Sequence, residues 1–236
     1  MKPARIVMLV AAVAVLMLLA AGPGHRFGLW EFATGFSLMR WAAWVGIAAA
    51  ALALVALLVP RLRRGHAVGL AIALLAGLAA AALPWQMLRT ARAVPPIHDI
   101  STDTVDPPAF EDVLPLRADA PNPAVYEGEA IAQQQRAAYP EVQPLTLDDP
   151  PEAAFERALA AARDMGWEIV ASDPERGRIE ATATTFWFGF KDDVVVRVRP
   201  EGAGARVDVR SLSRVGRSDV GANAARIRAY LDKLET

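Results

Sequence analysis

The chain has 236 residues, 54% of them hydrophobic, and a formal net charge of -1 at pH 7. Residues 1–92 carry nine Lys or Arg and one acid, whereas the other 144 residues carry sixteen basic and twenty-five acidic side chains. An acidic C-terminal part lacks the basic surface that nucleic-acid binding requires, so we expect no nucleic-acid partner. The chain has no cysteine, and His98 is the last of its three histidines. These counts exclude thiolate metal sites from the whole chain and His-based catalytic triads from everything after His98.

Three stretches of the N-terminal part are free of charge and apolar on every face. An α-helix needs about 20 such residues to cross the ~30 Å hydrocarbon core of a bilayer, at 1.5 Å per residue. The spans are predicted over residues 6–24, 42–60 and 67–88. We therefore expect residues 1–92 to form a transmembrane anchor. The spans hold no acid, base or amide before Gln86, which disfavours a transporter or channel.

Basic residues in the short flanks predict the orientation of these spans, because Lys and Arg concentrate on the cytoplasmic side. Lys2 and Arg5 precede the first span, and three arginines lie within residues 61–64, between the second and third spans. We expect a multi-pass protein of the cell (inner) membrane, with the lipid bilayer as a partner, a cytoplasmic N-terminus and a periplasmic or extracytoplasmic C-terminal domain. Arg89 and Arg92, after the third span, count against this orientation.

The first span has a second interpretation as a cleaved signal peptide, since small residues at 20–22 follow its apolar run. The run exceeds the usual ~7–15 residues of a signal peptide, which favours a membrane span. A cleaved N-terminus would already lie outside, so the domain is exported under either interpretation.

The acidic part opens with a proline-rich stretch, residues 93–125, which we interpret as an extended tether lying along the domain that follows. Residues 126–236 then show helix and strand periodicity and are predicted to be a soluble α+β domain. Helices are predicted over residues 126–139, 149–165 and 219–234, and strands over 167–172, 178–190, 194–199 and 206–213, with 143–147 as a candidate further strand. A bulge is expected near Thr184 and Thr185, where the alternation shifts. The expected fold is a three-helix transmembrane module plus an α+β two-layer domain, in which two helices pack on a four-stranded antiparallel sheet.

Alternation along the strands places a set of charged side chains on the sheet face opposite the helices. This set comprises Arg178, Glu180, Arg197, Arg199, Arg206, Asp208 and Arg210. We interpret this face as solvated, with a docking surface for an anionic partner as the alternative.

Three segments resemble the domain-of-unknown-function 1499 family: residues 97–103 (IHDISTD), 189–193 (GFKDD) and 210–223 (RSLSRVGRSDVGAN). The last segment is the most specific of them, and the resemblance extends over residues 95–234. It implies the identity of the domain and that the chain is a membrane-anchored member. It implies no established reaction.

The same segments predict a polar corner where the last strand meets the last helix. Its candidate binding residues are Asp192, Asp193, Arg210, Ser211, Ser213, Arg214, Ser218, Asp219 and Asn223. Arginine forks pair carboxylates, so one interpretation is a structural clamp between sheet and helix. The other is an anion site at the helix N-terminus, where free backbone N–H groups favour phosphate or carboxylate.

The sequence favours a non-enzymatic protein of the bacterial cell envelope, whose exported domain is a binding or scaffold module. Its expected partner is an envelope protein, a lipid headgroup, a cell-wall component or another anionic ligand. The alternative is an envelope hydrolase or transferase that uses Asp192, Asp193 and Arg210. Adjacent aspartates face opposite ways on a strand, which is unfavourable for paired acid–base chemistry. His98 with Asp99, Asp103 and Asp106 suggests a metal site, but a proline-braced tether explains these residues better, and we expect no cofactor.

Overall fold

The computed structural model describes residues 3–235. The chain forms two compact units, and each is considered by itself. The first, the helical unit, comprises the residues up to Thr90 together with the loop Phe186–Gly189. The second, the sheet domain, comprises the chain from Ala91 onward without that loop.

From residue 3 onward, three long helices and one short helix build the helical unit. They are α1 (Pro3–Arg26), α2 (Phe32–Leu58), α3 (Pro60–Arg63) and α4 (Ala67–Ala93). The three long helices are long and apolar enough to cross a membrane, as the sequence predicts. Helix α2 begins earlier than its charge-free stretch, so it includes Arg40 and shortens the first loop. A 27-residue helix is about 40 Å long, which lets its first turns extend beyond the hydrocarbon core.

Small residues line the interior of the helical unit, whereas large apolar side chains lie on its exterior. Alanines at 11, 49, 53 and 73 belong to one buried cluster. A Cβ atom on Gly46 would lie 2.7 Å from the carbonyl oxygen of Gly77, so glycine permits this close approach of α2 and α4. Leu16 and Leu75 are 64% and 67% exposed. Small residues inside and large ones outside are the arrangement that helix packing in lipid favours.

In the part of the sheet domain that the structure describes there are six strands, three α-helices and one 3₁₀ turn at Leu114–Arg117. The strands are β1 (Asp99–Ser101), β2 (Leu145–Leu147), β3 (Glu168–Asp173), β4 (Arg178–Thr184), β5 (Lys191–Glu201) and β6 (Gly204–Ser213). The helices are α5 (Glu129–Ala138), α6 (Pro151–Asp164) and α7 (Ala222–Glu235).

The sheet is antiparallel, with six strands instead of the four that the sequence predicts. Its order is β1-β6-β5-β4-β3, and β2 also pairs with β6. Strand β1 pairs with residues 210–212 of β6 and β2 with residues 205–207, so the two lie end to end along one edge. Each has only three residues, too few to show a clear alternation, although the candidate further strand at 143–147 contains β2. The predicted antiparallel α+β architecture is confirmed, and the predicted strand count is wrong.

Helices α6 and α7 cover one face of the sheet and form the main core with it. Phe155 of α6 and Ile227 of α7 are buried with Val194, Val196 and Val209 of the central strands. The ring of Tyr230 stacks on Trp167 at 4.9 Å between centroids. The hydroxyl of Tyr230 donates to the carbonyl of Ala158 at 2.8 Å, which links the two helices.

The opposite face of the sheet is covered by residues 102–126, which we call the cover segment. Phe110 and Val113 of this segment pack on Val195 and Leu212 in a second apolar cluster. The charged side chains predicted for this face do lie there, but Glu180 and Asp208 are fully buried. The predicted solvated face is therefore wrong for the charged residues that the cover segment buries, whereas Arg197, Arg199 and Arg206 remain partly exposed.

The expected bulge at Thr184 and Thr185 is absent from the β4–β5 ladder, which ends at Thr184↔Lys191. The change in alternation there marks the start of the connecting loop, which the Thr185 amide closes by donating to the carbonyl of Phe190. The irregularity lies instead in β3, between Ile169 and Ala171.

A glutamine side chain on α5 completes the edge of the sheet next to β1. The amide of Ser101 donates to Oε1 of Gln135 at 2.9 Å, and Nε2 of Gln135 donates to the carbonyl of Ser101 at 2.7 Å. Gln135 is 1% exposed, so it pairs with both backbone groups as a neighbouring strand would.

We expect Gln135→Leu to lower the free energy of unfolding by about 1–3 kcal/mol, because it leaves a buried N–H and a buried C=O of Ser101 unpaired. Denaturant unfolding of the detergent-solubilised chain, followed by circular dichroism, measures the change. Gln134→Leu, at an exposed position of the same helix, is the matched control. Equal stability of the two variants would contradict the role of Gln135.

Candidate functional site

Strands β5 and β6 bring the predicted corner together, but the alternation divides it between the two faces of the sheet. Asp192 lies opposite Ser213 in the ladder, and Val195 lies opposite Arg210. Asp193, Arg210 and Arg214 contact the cover segment, whereas Asp192, Ser211, Ser213 and Asn223 meet on the helix side. The corner is therefore two clusters, and the predicted opposite orientation of Asp192 and Asp193 is confirmed.

Arg210 is the largest fully buried side chain of the domain, at 2% exposure. Its Nε and Nη2 donate to the two carboxylate oxygens of Asp99 at 2.9 and 2.7 Å. Nη1 donates to the carbonyl of Pro108, and Nη2 also to that of Ala124. The guanidinium lies 4.9 Å from the ring centroid of Phe110. One side chain thus joins β6, β1 and both arms of the cover segment, which are the parts before and after its 3₁₀ turn.

Tyr126 completes the surroundings of Arg210, with its ring centroid 5.3 Å from the guanidinium carbon. Its hydroxyl is buried without a hydrogen-bond partner among the described residues. Burial, with a smaller contribution from Asp99, raises the pKa of Tyr126 to about 12. This tyrosine is therefore neutral at physiological pH.

Asp193 accepts hydrogen bonds from three side chains on the cover-segment face. Arg117 donates from Nη1 at 2.7 Å and Arg214 donates from Nη2 at 2.8 Å. The hydroxyl of Thr182 donates to the same carboxylate at 2.9 Å. Burial lowers the pKa of the Arg117 guanidinium, and its ion pair with Asp193 opposes that effect. Asp193 is fully buried. Because its partners lie on different elements, this network connects the 3₁₀ turn of the cover segment to β4 and β5.

On the helix face, Asp192 pairs with Arg226 of α7 at 2.5 Å. Arg226 also donates to the hydroxyl of Ser211 at 3.0 Å, and Ser211 donates to Oδ1 of Asn223 at 2.7 Å. Nδ2 of Asn223 donates to the Ser213 hydroxyl at 3.0 Å and to the carbonyl of residue 98 at 2.9 Å. Every member is polar and bonded to another member, so the network joins α7 to β5 and β6.

Asp219 lies before α7 and accepts hydrogen bonds from two backbone N–H groups, one just before the helix and one in its first turn. Its carboxylate accepts from the amides of Gly221 and Asn223, both at 2.8 Å. Burial raises the pKa of the Asp219 carboxyl, although these two hydrogen bonds act in the opposite direction. The Ser218 hydroxyl accepts from the amide of Val220, whose φ is +57°. The groups that would bind an external anion here are therefore engaged by the chain itself.

The residues considered for a metal site have separate partners. Asp99 pairs with Arg210, and Asp106 pairs with Arg197 at 3.1 Å. Asp103 accepts from two backbone amides and pairs with Arg206 at 2.9 Å. Burial by itself would raise the pKa of the Asp103 carboxyl. These hydrogen bonds and the nearby arginines outweigh burial, so the pKa of Asp103 is lowered. Nδ1 of His98 contacts the carbonyl of Arg217.

The sequence interpretation missed Asp99, Arg117 and Arg226 as members of these networks. Asp99 lies in a segment that carries the family resemblance, so that segment contained a usable signal. Arg117 is 76 residues from its partner Asp193 in the chain, and Arg226 is 34 residues from Asp192. Neither arginine belongs to a local motif, so only the tertiary structure reveals these pairs.

An open groove of about 570 Å³ lies near the edge formed by β1 and β2, and we call it the edge groove. Its lining comprises Thr102, Asp103, Thr104, Val105, Glu129, Arg136, Gln143, Pro144 and Arg206. Arg136 donates to Glu129 at 2.5 Å and to the hydroxyl of Thr104 at 3.0 Å. Val105 is 91% exposed. Unlike the buried corner, this groove presents polar and apolar side chains to solvent.

We expect Arg210→Met to lower the free energy of unfolding by about 3–5 kcal/mol, because it leaves the Asp99 carboxylate buried without its partner. Denaturant titration of the full chain in detergent micelles measures the change. Arg217→Met, which removes an exposed arginine, is the control. An Arg210→Met variant as stable as this control would contradict the structural role of the pair.

The pH dependence of stability should report the raised pKa of Asp219. Between the unfolded value of about 3.9 and the higher folded value, the folded chain binds more protons than the unfolded chain. The free energy of unfolding therefore falls as the pH rises through this window. We expect Asp219→Asn, which keeps one oxygen for the cap, to gain stability relative to the natural chain as the pH rises from about 3.5.

Thermal unfolding between about pH 3.5 and pH 7 measures this gain in stability of Asp219→Asn. Asp232→Asn, an exposed carboxylate on the same helix, is the control, and an Asp219→Asn effect that is independent of pH would contradict the assignment.

Comparison with known proteins bears on the domain that contains these networks. No curated protein matches the chain. A solved structure to which it is similar is that of TTHA0849 from Thermus thermophilus, with 15% identity over 39% of this chain and 91% of that chain. The TM-score is 0.25, which is too low to indicate a common fold. The family described as "Protein of unknown function (DUF1499)" matches residues 99–234, which confirms the resemblance seen in the sequence: the chain belongs to this family.

Proposed function

We propose that this protein is a membrane-anchored binding module of the cell envelope, whose sheet domain binds an envelope protein outside the cytoplasm. The observation that carries the proposal is the contrast between the two polar regions of the domain. Asp192, Asp193 and Arg210 of the corner are buried and each pairs with an oppositely charged side chain, whereas the edge groove is open. A paired and buried corner supports a structural clamp, and an exposed groove supports binding.

The chemistry of the edge groove suits a protein segment. Its charged lining residues are two arginines and two acids, so it has no single-sign field for steering a polyanion. The exposed Val105 offers an apolar contact beside the Arg136 guanidinium and the Thr104 hydroxyl. Exposed apolar and polar groups together are typical of transient protein interfaces. An anionic ligand is the second class of partner, and it would pair with Arg136.

The hydrolase or transferase alternative receives less support from the geometry. A general acid or base needs a carboxyl group within reach of a substrate. Asp192 is 3% exposed and Asp193 is fully buried, and both carry arginine partners. They also lie on opposite faces of the sheet, so they cannot act together on one substrate.

The proposed orientation has α1 entering from the cytoplasm and the sheet domain on the periplasmic or extracytoplasmic side. The basic segment at 61–64, around α3, supports it through the preference of arginine for cytoplasmic loops. Three spans from a cytoplasmic N-terminus then place the chain after α4 outside. Helix α4 carries Arg92 in its last turn, which weakens the charge bias without reversing it.

The orientation is tested with reporter fusions after Thr236 in a bacterial host. We expect an alkaline phosphatase fusion to be active and a green fluorescent protein fusion to be dark, because the first reporter folds only outside the cytoplasm and the second only inside. Fusions in the segment at 61–64 should give the opposite pair of signals. A fluorescent C-terminal fusion with an inactive phosphatase fusion would refute the exported domain.

Binding through the edge groove is tested by photo-crosslinking in cells that express the full chain. A crosslinking amino acid replaces Val105 in the groove or, as the control, Val125, which is 78% exposed and does not line it. We expect a discrete crosslinked protein from position 105 only, lost on Arg136→Glu and retained on Arg163→Glu, an exposed arginine of α6 outside the groove. The same products from both positions, or no product from position 105, would contradict the proposal.

A further inference from the structure

The loop Phe186–Gly189 connects β4 to β5, yet it belongs to the helical unit. Its sequence with the following residue is Phe-Trp-Phe-Gly-Phe, which places four aromatic rings within five positions. Within the helical unit, the ring of Phe188 lies 5.1 Å from that of Phe36 in α2, and Phe188 is 4% exposed. Phe188 is therefore a packing residue of this unit.

The loop meets α1 at its C-terminal end. A Cβ atom on Gly22 would lie 2.5 Å from Cδ1 of Trp187, so the indole packs directly on the helix backbone there. The Arg26 side chain donates from Nη1 to the carbonyl of Phe186 at 2.5 Å, and its guanidinium carbon lies 6.0 Å from the ring centroid of Phe186. Arg26 is the last residue of α1 and the first charge after its apolar run. The loop thus lies at the level where that run ends.

Phe186 also lies where the apolar run of α1 ends, but its ring is 90% exposed, unlike those of Trp187 and Phe188. A fully exposed phenylalanine ring in water is unfavourable, whereas an apolar ring at the boundary between headgroups and acyl chains is removed from water. The adjacent Arg26 guanidinium suits the phosphate of a headgroup. Trp30, a few residues further along the chain, contacts the same end of α1 by donating from Nε1 to the carbonyl of Ala21 at 3.2 Å.

We propose that the loop Phe186–Gly189 is a lipid-binding element, in which the ring of Phe186 inserts into the membrane interface beside the end of α1. The occupant of this surface is the bilayer itself, at the level of the headgroups and the first acyl carbons. This assignment goes beyond the proposed binding of a protein in the edge groove and is independent of it.

The natural chain has no cysteine, so a single introduced cysteine carries a fluorescent label at one position only. Phe186→Cys is the test position. Leu54→Cys, on the exterior of α2 at 48% exposure, is the reference for lipid contact. Val105→Cys, in the sheet domain at 91% exposure, is the reference for water. Each full chain is labelled with an environment-sensitive dye and placed in vesicles of phosphatidylcholine and phosphatidylglycerol, with or without lipids brominated near the headgroup end of their acyl chains.

We expect the label at position 186 to emit further to the blue than the label at 105, to lose intensity with brominated lipids, and to be protected from iodide in the water. Emission and quenching like those at position 105 would overturn the proposal. A blue-shifted emission that brominated lipids do not quench would also overturn it, and would indicate a protein contact instead. A label at position 54 without lipid quenching would refute the membrane spans and this proposal together, whereas the crosslinking at position 105 reports on the edge groove separately.

Discussion

The bidentate pair between Arg210 and Asp99 is the interaction on which the sheet domain depends. A guanidinium removed from water is strongly unfavourable unless its N–H groups are all bonded, and here they reach a carboxylate and two backbone carbonyls. Because those acceptors belong to β1 and to both arms of the cover segment, the buried charge specifies where an otherwise irregular stretch must lie. Phe110 packs on the flat face of the same guanidinium and excludes water from it.

The same arrangement recurs along the covered face of the sheet. Asp193 pairs with Arg117 and Arg214, and Asp208 pairs with Arg197 and further arginines. Such networks add little net stability compared with apolar packing of similar volume, but they penalise any arrangement that leaves one partner alone. Phe110 and Val113 bury apolar surface beneath the cover segment. The ion pairs, which are directional, specify its position further.

The buried ion-pair networks and the edge groove divide the domain into a structural part and an accessible part. The polar residues that the family resemblance brings to attention lie mostly in the structural part, as Asn223 and Ser211 show by bonding to each other. A family can keep such residues because the fold requires them, so a motif rich in arginine and aspartate does not by itself indicate a ligand site. The accessible part includes Thr102 and Asp103 from the end of the segment at 97–103, but its Arg136 lies outside all three segments.

Local patterns explain what the sequence predicted about the domain. Alternation placed Asp192 and Asp193 on opposite faces and grouped Glu180 with Arg210 on one face, as the structure confirms. The same alternation cannot show whether a face meets water or protein, because burial depends on what packs on it. The predicted solvated face failed for that reason.

The sequence by itself determined the three apolar helices, the uneven division of charge, the antiparallel α+β architecture and the membership of the family. Each depends on neighbours in the chain, such as an uninterrupted apolar run, a period of two or a contiguous motif. Only the tertiary structure decided that β1 joins the sheet, that the cover segment buries the charged face, and that the predicted corner is two clusters. Those features depend on partners far apart in the chain, such as Arg210 and Asp99, which are 111 residues apart, and no local pattern encodes such a pairing.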